Sequence, residues 1–266
     1  MSREGSVRRP ARRLTAGTSE TLEETVAEEV AIALVYNGIS HAVMMATPCD
    51  LEDFARGFSL TERIVERPSE IYDMEVEPVG RGIEVRLEIA AQRMAGLQQR
   101  RRSLTGRTGC GLCGVDSLEA ALRAVPAIAN PHRVARLAIE RAMAGLPEHQ
   151  KINRTNGATH AAGWASPDGT LVAVREDVGR HNALDKLAGA LARNGDAEPG
   201  GFVVVTSRCS YEMVQKAAAI GASAIAAVSA PTSLAIETAE QAGVALVAFV
   251  REGRLTVYAH ADRIVA

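Results

Sequence analysis

The sequence predicts an α/β protein with a three-layer α/β/α mixed sheet. In its second half, the short apolar runs FVVVTS, ASAIAAVS and VALVAFV alternate with the helical segments SYEMVQKAAAIG and SLAIETAEQAG. Strands of this length separated by helices are typical of a sheet that is covered by helices. The chain has 266 residues, of which 47% are hydrophobic and 23% charged, a composition ordinary for a globular protein of one large or two small domains.

The composition also narrows the functional class. A formal net charge of -2 gives no reason to expect non-specific nucleic-acid binding, and 3% aromatic residues argue against stacking platforms for single strands. No apolar run approaches the roughly 20 residues that span a bilayer, and the N-terminus lacks the apolar core of a secretory signal. Four cysteines are too few for a disulfide scaffold. We therefore expect a cytoplasmic protein with reduced thiols and neither nucleic-acid nor membrane partners.

The first part of the chain predicts a tail followed by a small subdomain. Residues 1–20 are basic and contain Gly, Ser and Pro, so we expect a disordered tail. Asn37-Gly38 is the preferred pair for a type I′ hairpin turn, and Asp50 is placed to cap the helix LEDFARGFSLTERIV. With the strand-like GIEVRLEIA, these elements predict a smaller N-terminal α+β subdomain over residues 21–100. Three methionines are expected in the core: Met44, Met45 and Met143.

The remaining chain predicts a flexible Gly/Arg-rich CxxC loop over residues 101–116 and an α/β domain over residues 117–266. Pro131 is expected at the first position of the helix PHRVARLAIERAMAGL, which Gly145 helps to end. A hairpin is expected at PDG, residues 167–169, and the amphipathic helix GRHNALDKLAGALARNG is expected to close at its final Asn-Gly.

The CxxC pair, Cys110 and Cys113, is the clearest chemical signal. A structural zinc site needs four ligands, usually as two close pairs, and the sequence has no second CxxC, CxxH or HxxxH. A zinc deaminase needs H-x-E and P-C-x-x-C, but His160 lacks that glutamate and glycine precedes Cys110. The pattern therefore argues against zinc, although His160 or His181 could complete a site through tertiary proximity.

Two non-metal roles for the cysteine pair remain open. A thioredoxin-like redox pair follows the first strand of a short domain, whereas this pair follows an arginine-rich segment near mid-chain. A group-carrying thiol must be accessible and partly ionised, and the neighbouring glycines, arginines and helix start favour both properties. These features favour a functional role for Cys110 and Cys113. A buried structural role suits Cys49 and Cys209 better.

Two helix starts are suited to anions. Arg180 and His181 begin the helix of REDVGRHNALDK, and TSRCSYE places Ser207 and Arg208 between a strand and a helix. Helix N-termini with such donors bind phosphates. A plainer explanation of the first motif is a capped amphipathic helix. Its cap would be Asp177, and its solvated residues would be Asp185 and Lys186.

Five ordered motifs resemble one known family. They are RTGCGLCG, NGATHAAG, REDVGRHNALDK, TSRCSYEMVQKAA and SAPTSLA. From about Glu28 to Val265, the chain resembles the formate dehydrogenase accessory sulfurtransferases, the FdhD family. The resemblance implies a homodimer whose larger domain is similar to the cytidine deaminase fold without its zinc site. The basic tail has no counterpart in that family.

The resemblance further implies a sulfur carrier. Such a sulfurtransferase takes persulfide sulfur from a cysteine desulfurase. It transfers the sulfur to molybdenum or tungsten in bis(molybdopterin guanine dinucleotide), which formate dehydrogenase needs for activity. The partners are the desulfurase and the catalytic subunit of formate dehydrogenase. The persulfide falls on Cys110, with Cys113 in support, and no permanently bound metal is expected. The cofactor-binding segment falls on six residues: Phe249, Val250, Arg251, Glu252, Gly253 and Arg254. We expect four further contacts at the helix starts: Arg180, His181, Ser207 and Arg208.

Two other functions stay open on the sequence. One is a zinc-dependent hydrolase of the nucleoside-deaminase type, which metal analysis would distinguish. The other is a module that binds the cofactor without sulfur chemistry, which a persulfide-specific label at Cys110 would distinguish.

Overall fold

The structure, a computed structural model, describes residues 5–105, 125–195, 197–251 and 253–266, and for residues 99–105 the backbone alone. Its strands are β1 (Ser6–Thr15), β2 (Thr18–Ala27), β3 (Val30–Tyr36), β4 (Ile39–Ala46), β5 (Ile71–Val79), β6 (Gly82–Ile89), β7 (Val134–Ala135), β8 (His160–Ala165), β9 (Leu171–Asp177), β10 (Phe202–Val205), β11 (Ala224–Ala227), β12 (Ala245–Arg251), β13 (Arg254–Ala259) and β14 (Ile264–Val265). Its α-helices are α1 (Leu51–Thr61), α2 (Ala91–Thr105), α3 (Arg136–His149), α4 (Lys151–Asn156), α5 (Arg180–Asn194), α6 (Tyr211–Ala219) and α7 (Ser233–Ala242). Short 3-10 turns lie at Pro68–Glu70 and Ala261–Arg263.

The larger sheet has six strands in the order β13-β12-β11-β10-β8-β9. Strands β10, β11 and β12 are parallel, whereas β8 is antiparallel to both β10 and β9, and β13 is antiparallel to β12. Phe202 and Val204 pack in a cluster with α3, while Val203 and Val205 pack in a cluster with α5, α6 and α7. Helices therefore cover both faces, and the predicted three-layer mixed α/β sheet is confirmed. Its likeness to the cytidine deaminase fold stays a prediction.

The smaller sheet has four strands in the order β4-β3-β6-β5. Residues of α1 and α2 pack against one of its faces, in a cluster that includes Phe54, Phe58 and Leu97. Asn37 and Gly38 form the predicted turn between β3 and β4, with φ of 46° and 77°. This sheet lies within residues 21–100, and the division of the chain into domains stays a prediction.

Residues 6–27 form a hairpin, so the prediction of a disordered tail over residues 1–20 is wrong for most of that segment. Gly17, with φ of 82°, lies in the turn between β1 and β2. The register places Arg9 opposite Glu24, and Arg13 opposite Glu20. Opposite charges across strands stabilise a hairpin, so the basic run is ordered by pairing with the acidic run that follows it.

The helix predicted to start at Pro131 starts at Arg136 instead. The two preceding residues form β7, which pairs in parallel with β14 near the end of the chain and so is extended. Gly145 does not end α3, which continues through Pro147 to its last residue. This long-range strand pairing overrides the local start signal.

Two smaller predictions need adjustment. Asp50 occupies the predicted N-cap position of α1, but its φ of 52° is left-handed and its side chain makes no capping hydrogen bond. Met143 is buried as expected and Met44 is half-buried, whereas the side chain of Met45 is 51% exposed. Successive side chains of a strand point to opposite faces, so the two adjacent methionines of β4 cannot share the core.

Candidate functional site

The carboxyl ends of β9, β10, β11 and β12 meet at one edge of the larger sheet, since these four strands run in the same direction. Open α/β sheets bind ligands beyond this edge. The structure brings described residues from three separate motifs to it: Arg180 and His181 after β9, Ser207 and Arg208 after β10, and Phe249, Val250, Arg251, Gly253 and Arg254 at the end of β12 and around the start of β13.

The candidate site is a row along this edge. Strands β9 and β12 are four strand spacings apart in the sheet order, which corresponds to about 19 Å. Strand β10, which precedes Arg208, lies two spacings from β12. An elongated ligand with several anionic groups would suit such a row better than a small compact one.

Arg180 and His181 are the first residues of α5, as the sequence predicted. The Nε atom of Arg180 is buried and has no hydrogen-bond partner among the residues that the structure describes. Burial, together with the nearby Arg180 guanidinium, lowers the pKa of His160, so His160 is a neutral imidazole at physiological pH. An unpartnered guanidinium nitrogen at a helix N-terminus is a suitable donor to a phosphate.

His181 joins the starts of two helices. Its Nε2 lies 2.8 Å from Oε2 of Glu212 and 3.4 Å from Oγ of Ser210, at the start of α6. The hydrogen bond from His181 lowers the pKa of Glu212. Glu212 is not among the residues predicted from the sequence, although its position just inside the helix of TSRCSYE was the available signal. His181 is thereby held in place by a carboxylate.

Ser207 and Arg208 differ in what they can offer a ligand. Ser207 is buried, and its hydroxyl donates to the backbone oxygen of Arg208 over 2.8 Å. Arg208 is exposed at the edge. Of this pair, Arg208 is therefore the better candidate for contact with an anion.

The segment between β12 and β13 is a bulged, irregular connection. Phe249 is half-buried with a left-handed φ of 54°, and its N–H donates to the oxygen of Ser229 over 3.4 Å. Arg251 and Arg254 face each other across the turn and are both exposed. Val250 is 3% exposed and belongs to the core, so its side chain is not available to a ligand.

Two further residues complete this segment. Arg136 of α3 donates from Nη2 to the oxygen of Gly253 over 3.0 Å, which ties the turn to the helix behind it. Glu252, which the sequence analysis assigned to the cofactor-binding segment, lies outside the described residues.

The plainer explanation of this motif, in which Asp185 and Lys186 are solvated, is wrong, because both side chains are buried. Lys186 Nζ lies 2.7 Å from Oδ2 of Asp177 and donates to the oxygen of Thr47 over 3.0 Å. Asp185 Oδ1 lies 2.9 Å from Nζ of Lys216. The motif REDVGRHNALDK therefore has two roles. Arg180 and His181 lie at the sheet edge. Lys186 bonds to Thr47, which follows β4, and so holds the smaller sheet and the larger sheet together.

Cys110 and Cys113 lie outside the described residues. The two described thiols have the properties expected of structural cysteines. Cys209 is fully buried and burial raises its pKa to about 12, while burial also raises the pKa of the half-buried Cys49. Neither is an accessible thiolate.

Metal-binding clusters and membrane-spanning helices are absent from the described part of the chain. Within it, no three His, Cys, Asp or Glu side chains are grouped so that they could hold a metal ion. No helix among the described residues is both long and apolar enough to cross a membrane.

Comparison with known proteins places this geometry in context. A family model described as the FdhD/NarQ family matches residues 27–265. The sulfur carrier protein FdhD of Cupriavidus necator is 57% identical over 241 residues, covering 91% of this chain and 84% of that protein. The protein of the same name from Xanthomonas campestris pv. campestris is 50% identical over 262 residues, covering 98% of this chain and 93% of that protein. The crystal structure of a putative formate dehydrogenase accessory protein from Desulfotalea psychrophila has a TM-score of 0.75 and 25% identity, covering 98% of this chain and 99% of that one.

Proposed function

Because the chain belongs to the FdhD/NarQ family, we propose that it is a sulfur carrier that serves formate dehydrogenase. The names of its curated relatives and of its structural neighbour support this role. We further propose that the protein is a cytoplasmic sulfurtransferase and a homodimer. It accepts sulfur from a cysteine desulfurase and delivers it for the catalytic subunit of formate dehydrogenase.

The acceptor of the sulfur is the molybdenum or tungsten of bis(molybdopterin guanine dinucleotide). The observation that carries this part of the proposal is the Nε of Arg180 at the start of α5, which has no hydrogen-bond partner among the described residues. Arg208, Arg251 and Arg254 add three exposed guanidinium groups along the same edge. The acceptor is long and carries pyrophosphates, and guanidinium groups bind phosphate oxygens through paired, charge-assisted hydrogen bonds. A row about 19 Å long can therefore hold several of its anionic groups.

The proposed sulfur chemistry uses the cysteine pair. The thiolate of Cys110 attacks the outer sulfur of the desulfurase persulfide, the desulfurase cysteine leaves as a thiolate, and Cys110 becomes a persulfide. The thiolate of Cys113 then attacks the inner sulfur of Cys110. The outer sulfur leaves with both electrons as sulfide for the metal, and the two cysteines form a disulfide. A dithiol reductant must reduce that disulfide before the next cycle.

Mass spectrometry tests this assignment directly. After incubation with a cysteine desulfurase and cysteine, the peptide containing Cys110 should gain about 32 Da, one sulfur, which a thiol reductant removes. A Cys110→Ala variant should gain nothing and should not activate a client formate dehydrogenase. The Cys113→Ala variant is the matched control and should load sulfur normally but release it poorly. Sulfur found on Cys113 or Cys209 instead would show the assignment to be wrong.

Elemental analysis separates this function from the zinc hydrolase. One zinc ion per chain, lost in the Cys110→Ala variant, would favour the hydrolase, since a zinc site needs thiolate or imidazole ligands. A protein that binds the cofactor normally but never acquires a persulfide would instead be a pure binding module.

A further inference from the structure

The outer face of the smaller sheet, the face opposite α1 and α2, is open to solvent. On β4 it carries Val43, which is 62% exposed, and Met45, which is 51% exposed. On β5 and β6 it carries mostly acidic side chains. A sheet face that combines exposed apolar residues with charge is a feature of interaction sites.

Like charges stand opposite each other on this outer face. The register pairs Asp73 with Glu88, and Glu77 with Glu84. Arg86 forms ion pairs with Glu77 and Glu84. Among the described residues, Asp73 and Glu88 have no ion-pair partner. Directly opposed like charges destabilise a sheet, so the outer face favours contact with an external cation.

The hairpin of β1 and β2, residues 6–27, forms an arm that is held at its base. Asn156 donates from Nδ2 to Oγ of Ser6 over 2.9 Å, and the Glu28 N–H donates to the oxygen of Gly5. The arm pairs with no other strand in the described part of the chain, and residues 12–21 are exposed. A lone two-stranded hairpin is only marginally stable in water, so a supporting surface would stabilise this one.

The arm presents a charge opposite to that of the outer face and an apolar group that matches the exposed apolar residues of that face. Arg8, Arg12 and Leu14 lie on the same face of β1, because their positions differ by even numbers. Within the described residues, neither arginine has a carboxylate partner, and Leu14 is 70% exposed. From Arg8 to Leu14 the strand spans about 20 Å, while the sheet from β5 to β4 is about 14 Å wide. The arm is therefore long enough to reach the acidic and the apolar parts of the outer face together.

We propose that the arm of one copy of this chain lies on the outer face of a second copy. The arginines would then meet Asp73 and Glu88, and Leu14 would meet Val43 and Met45. Charge complementarity identifies the second copy as the occupant, because both complementary surfaces belong to the same chain. Reciprocal exchange of the two arms closes a two-fold dimer and leaves neither surface open. This inference does not depend on the proposed sulfur chemistry.

Sedimentation velocity of the full chain tests the proposal with two charge-reversal variants. The acidic-arm variant carries Arg8→Glu and Arg12→Glu, and the basic-face variant carries Asp73→Lys and Glu88→Lys. We expect wild type to be a dimer that dissociates more readily as salt is raised, because exposed ion pairs are screened. Each variant alone should dissociate at least about tenfold more readily, since its arm and outer face now repel each other.

An equal mixture of the two variants should restore the dimer, because each arm then meets an outer face of opposite charge. A control variant with Arg133→Glu and Glu198→Lys reverses two exposed charges elsewhere and should keep the wild-type mass. Circular dichroism checks that every variant is folded. A monomeric wild type, variants that dimerise like wild type, or folded variants whose mixture stays monomeric would each overturn the proposal.

Discussion

Gly57 of α1 lies directly against Gly189 of α5, so that a methyl group on Gly57 would stand only 2.6 Å from the Gly189 nitrogen and 1.7 Å from the oxygen of Asp185. A methyl group on Gly189 would likewise stand 1.8 Å from the oxygen of Asp53. The two helices therefore cross backbone to backbone. This crossing joins the smaller sheet to the helix whose start forms part of the candidate site.

We expect Gly57→Ala and Gly189→Ala to destabilise the protein by about 2 kcal/mol or more, because the helices must move apart. Gly96→Ala in α2 is the matched control, since a methyl group there would meet nothing within 4 Å. The control should be neutral or stabilise by up to about 1 kcal/mol through helix propensity. Urea denaturation measures all three. Equal stability of Gly57→Ala and Gly96→Ala would contradict the close crossing.

The same junction holds a buried ionic cluster. Nζ of Lys216 lies 2.9 Å from Oδ1 of Asp185 and 2.8 Å from Oε1 of Glu62, and donates to Oγ1 of Thr61 over 3.1 Å. Burial alone would lower the pKa of Lys216, but the two carboxylates outweigh it and raise that pKa. Lys216 is therefore charged at neutral pH.

Lys216→Met should destabilise the protein by about 3–5 kcal/mol, since it leaves the carboxylate of Asp185 buried without its cation. The double variant Asp185→Leu with Lys216→Met removes both charges and should recover most of that loss. Chemical denaturation of the two single variants and the double variant measures their coupling. Additive losses would show that the two residues do not stabilise the fold as a pair.

Features of the fold could be predicted where the residues that determine them are close together in the sequence. Strand and helix alternation and the Asn37-Gly38 turn follow from local pattern and local backbone preference, and the structure has them where the sequence placed them. The burial of Asp185 does not. Its partner Thr61 is 124 residues away, and no local pattern distinguishes this pair from two solvated side chains.

In the candidate site, too, some features could be predicted from the sequence and others depend on contacts between distant residues. Strand direction alone placed Arg180 and Arg208 at one edge, because strand ends in a parallel sheet meet. The contact of His181 with Glu212 joins two helix starts that only the folded sheet brings together. The β1–β2 hairpin was missed for a related reason, since its basic and acidic runs become informative only once they are paired across strands.

Thiol reactivity should divide the four cysteines into two classes. We expect iodoacetamide to modify Cys110 and Cys113 of the native, reduced protein quickly at neutral pH. Cys209 and Cys49 should react slowly because their thiols are protonated and partly or wholly buried. Peptide mapping at timed intervals measures the rates, and unfolding in urea should equalise them. Native Cys209 reacting as fast as Cys110 would contradict its buried position.

Acid should remove a specific stabilising contact of Glu70. Arg93 donates to its two oxygens over 3.1 and 3.0 Å and, with backbone N–H donors, lowers its pKa from 4.5 to about 2. A carboxylate with a depressed folded pKa stabilises above its unfolded pKa, and that stabilisation is lost as pH falls through the folded pKa. Glu70→Gln should therefore be less stable than wild type at pH 6, and the gap should close between about pH 4.5 and 2.

Urea midpoints across this pH range test the Glu70 prediction. Arg93→Met removes the cation from the same pair and should show the same closing gap. A gap between wild type and Glu70→Gln that stays constant down to about pH 2 would mean that the ionised carboxylate is not the source of the stability.

The guanidinium groups at the sheet edge should contribute to binding of the nucleotide portion of the proposed acceptor. Arg180→Met removes the guanidinium whose Nε has no partner among the described residues, and should weaken binding of GDP about tenfold, since a hydrogen bond to a charged group contributes roughly 1.5–3 kcal/mol. The double variant Arg251→Ala with Arg254→Ala should also weaken GDP or GMP binding. Arg133→Ala, which changes an exposed arginine before β7, is the control and should bind as wild type does.

Isothermal titration calorimetry measures the affinities of these variants for GDP. Sulfur loading of each variant by the desulfurase should stay normal, because the proposed donor step does not use this edge. Unchanged GDP affinity in Arg180→Met would remove that residue from the acceptor site while leaving the sulfur-carrier assignment intact.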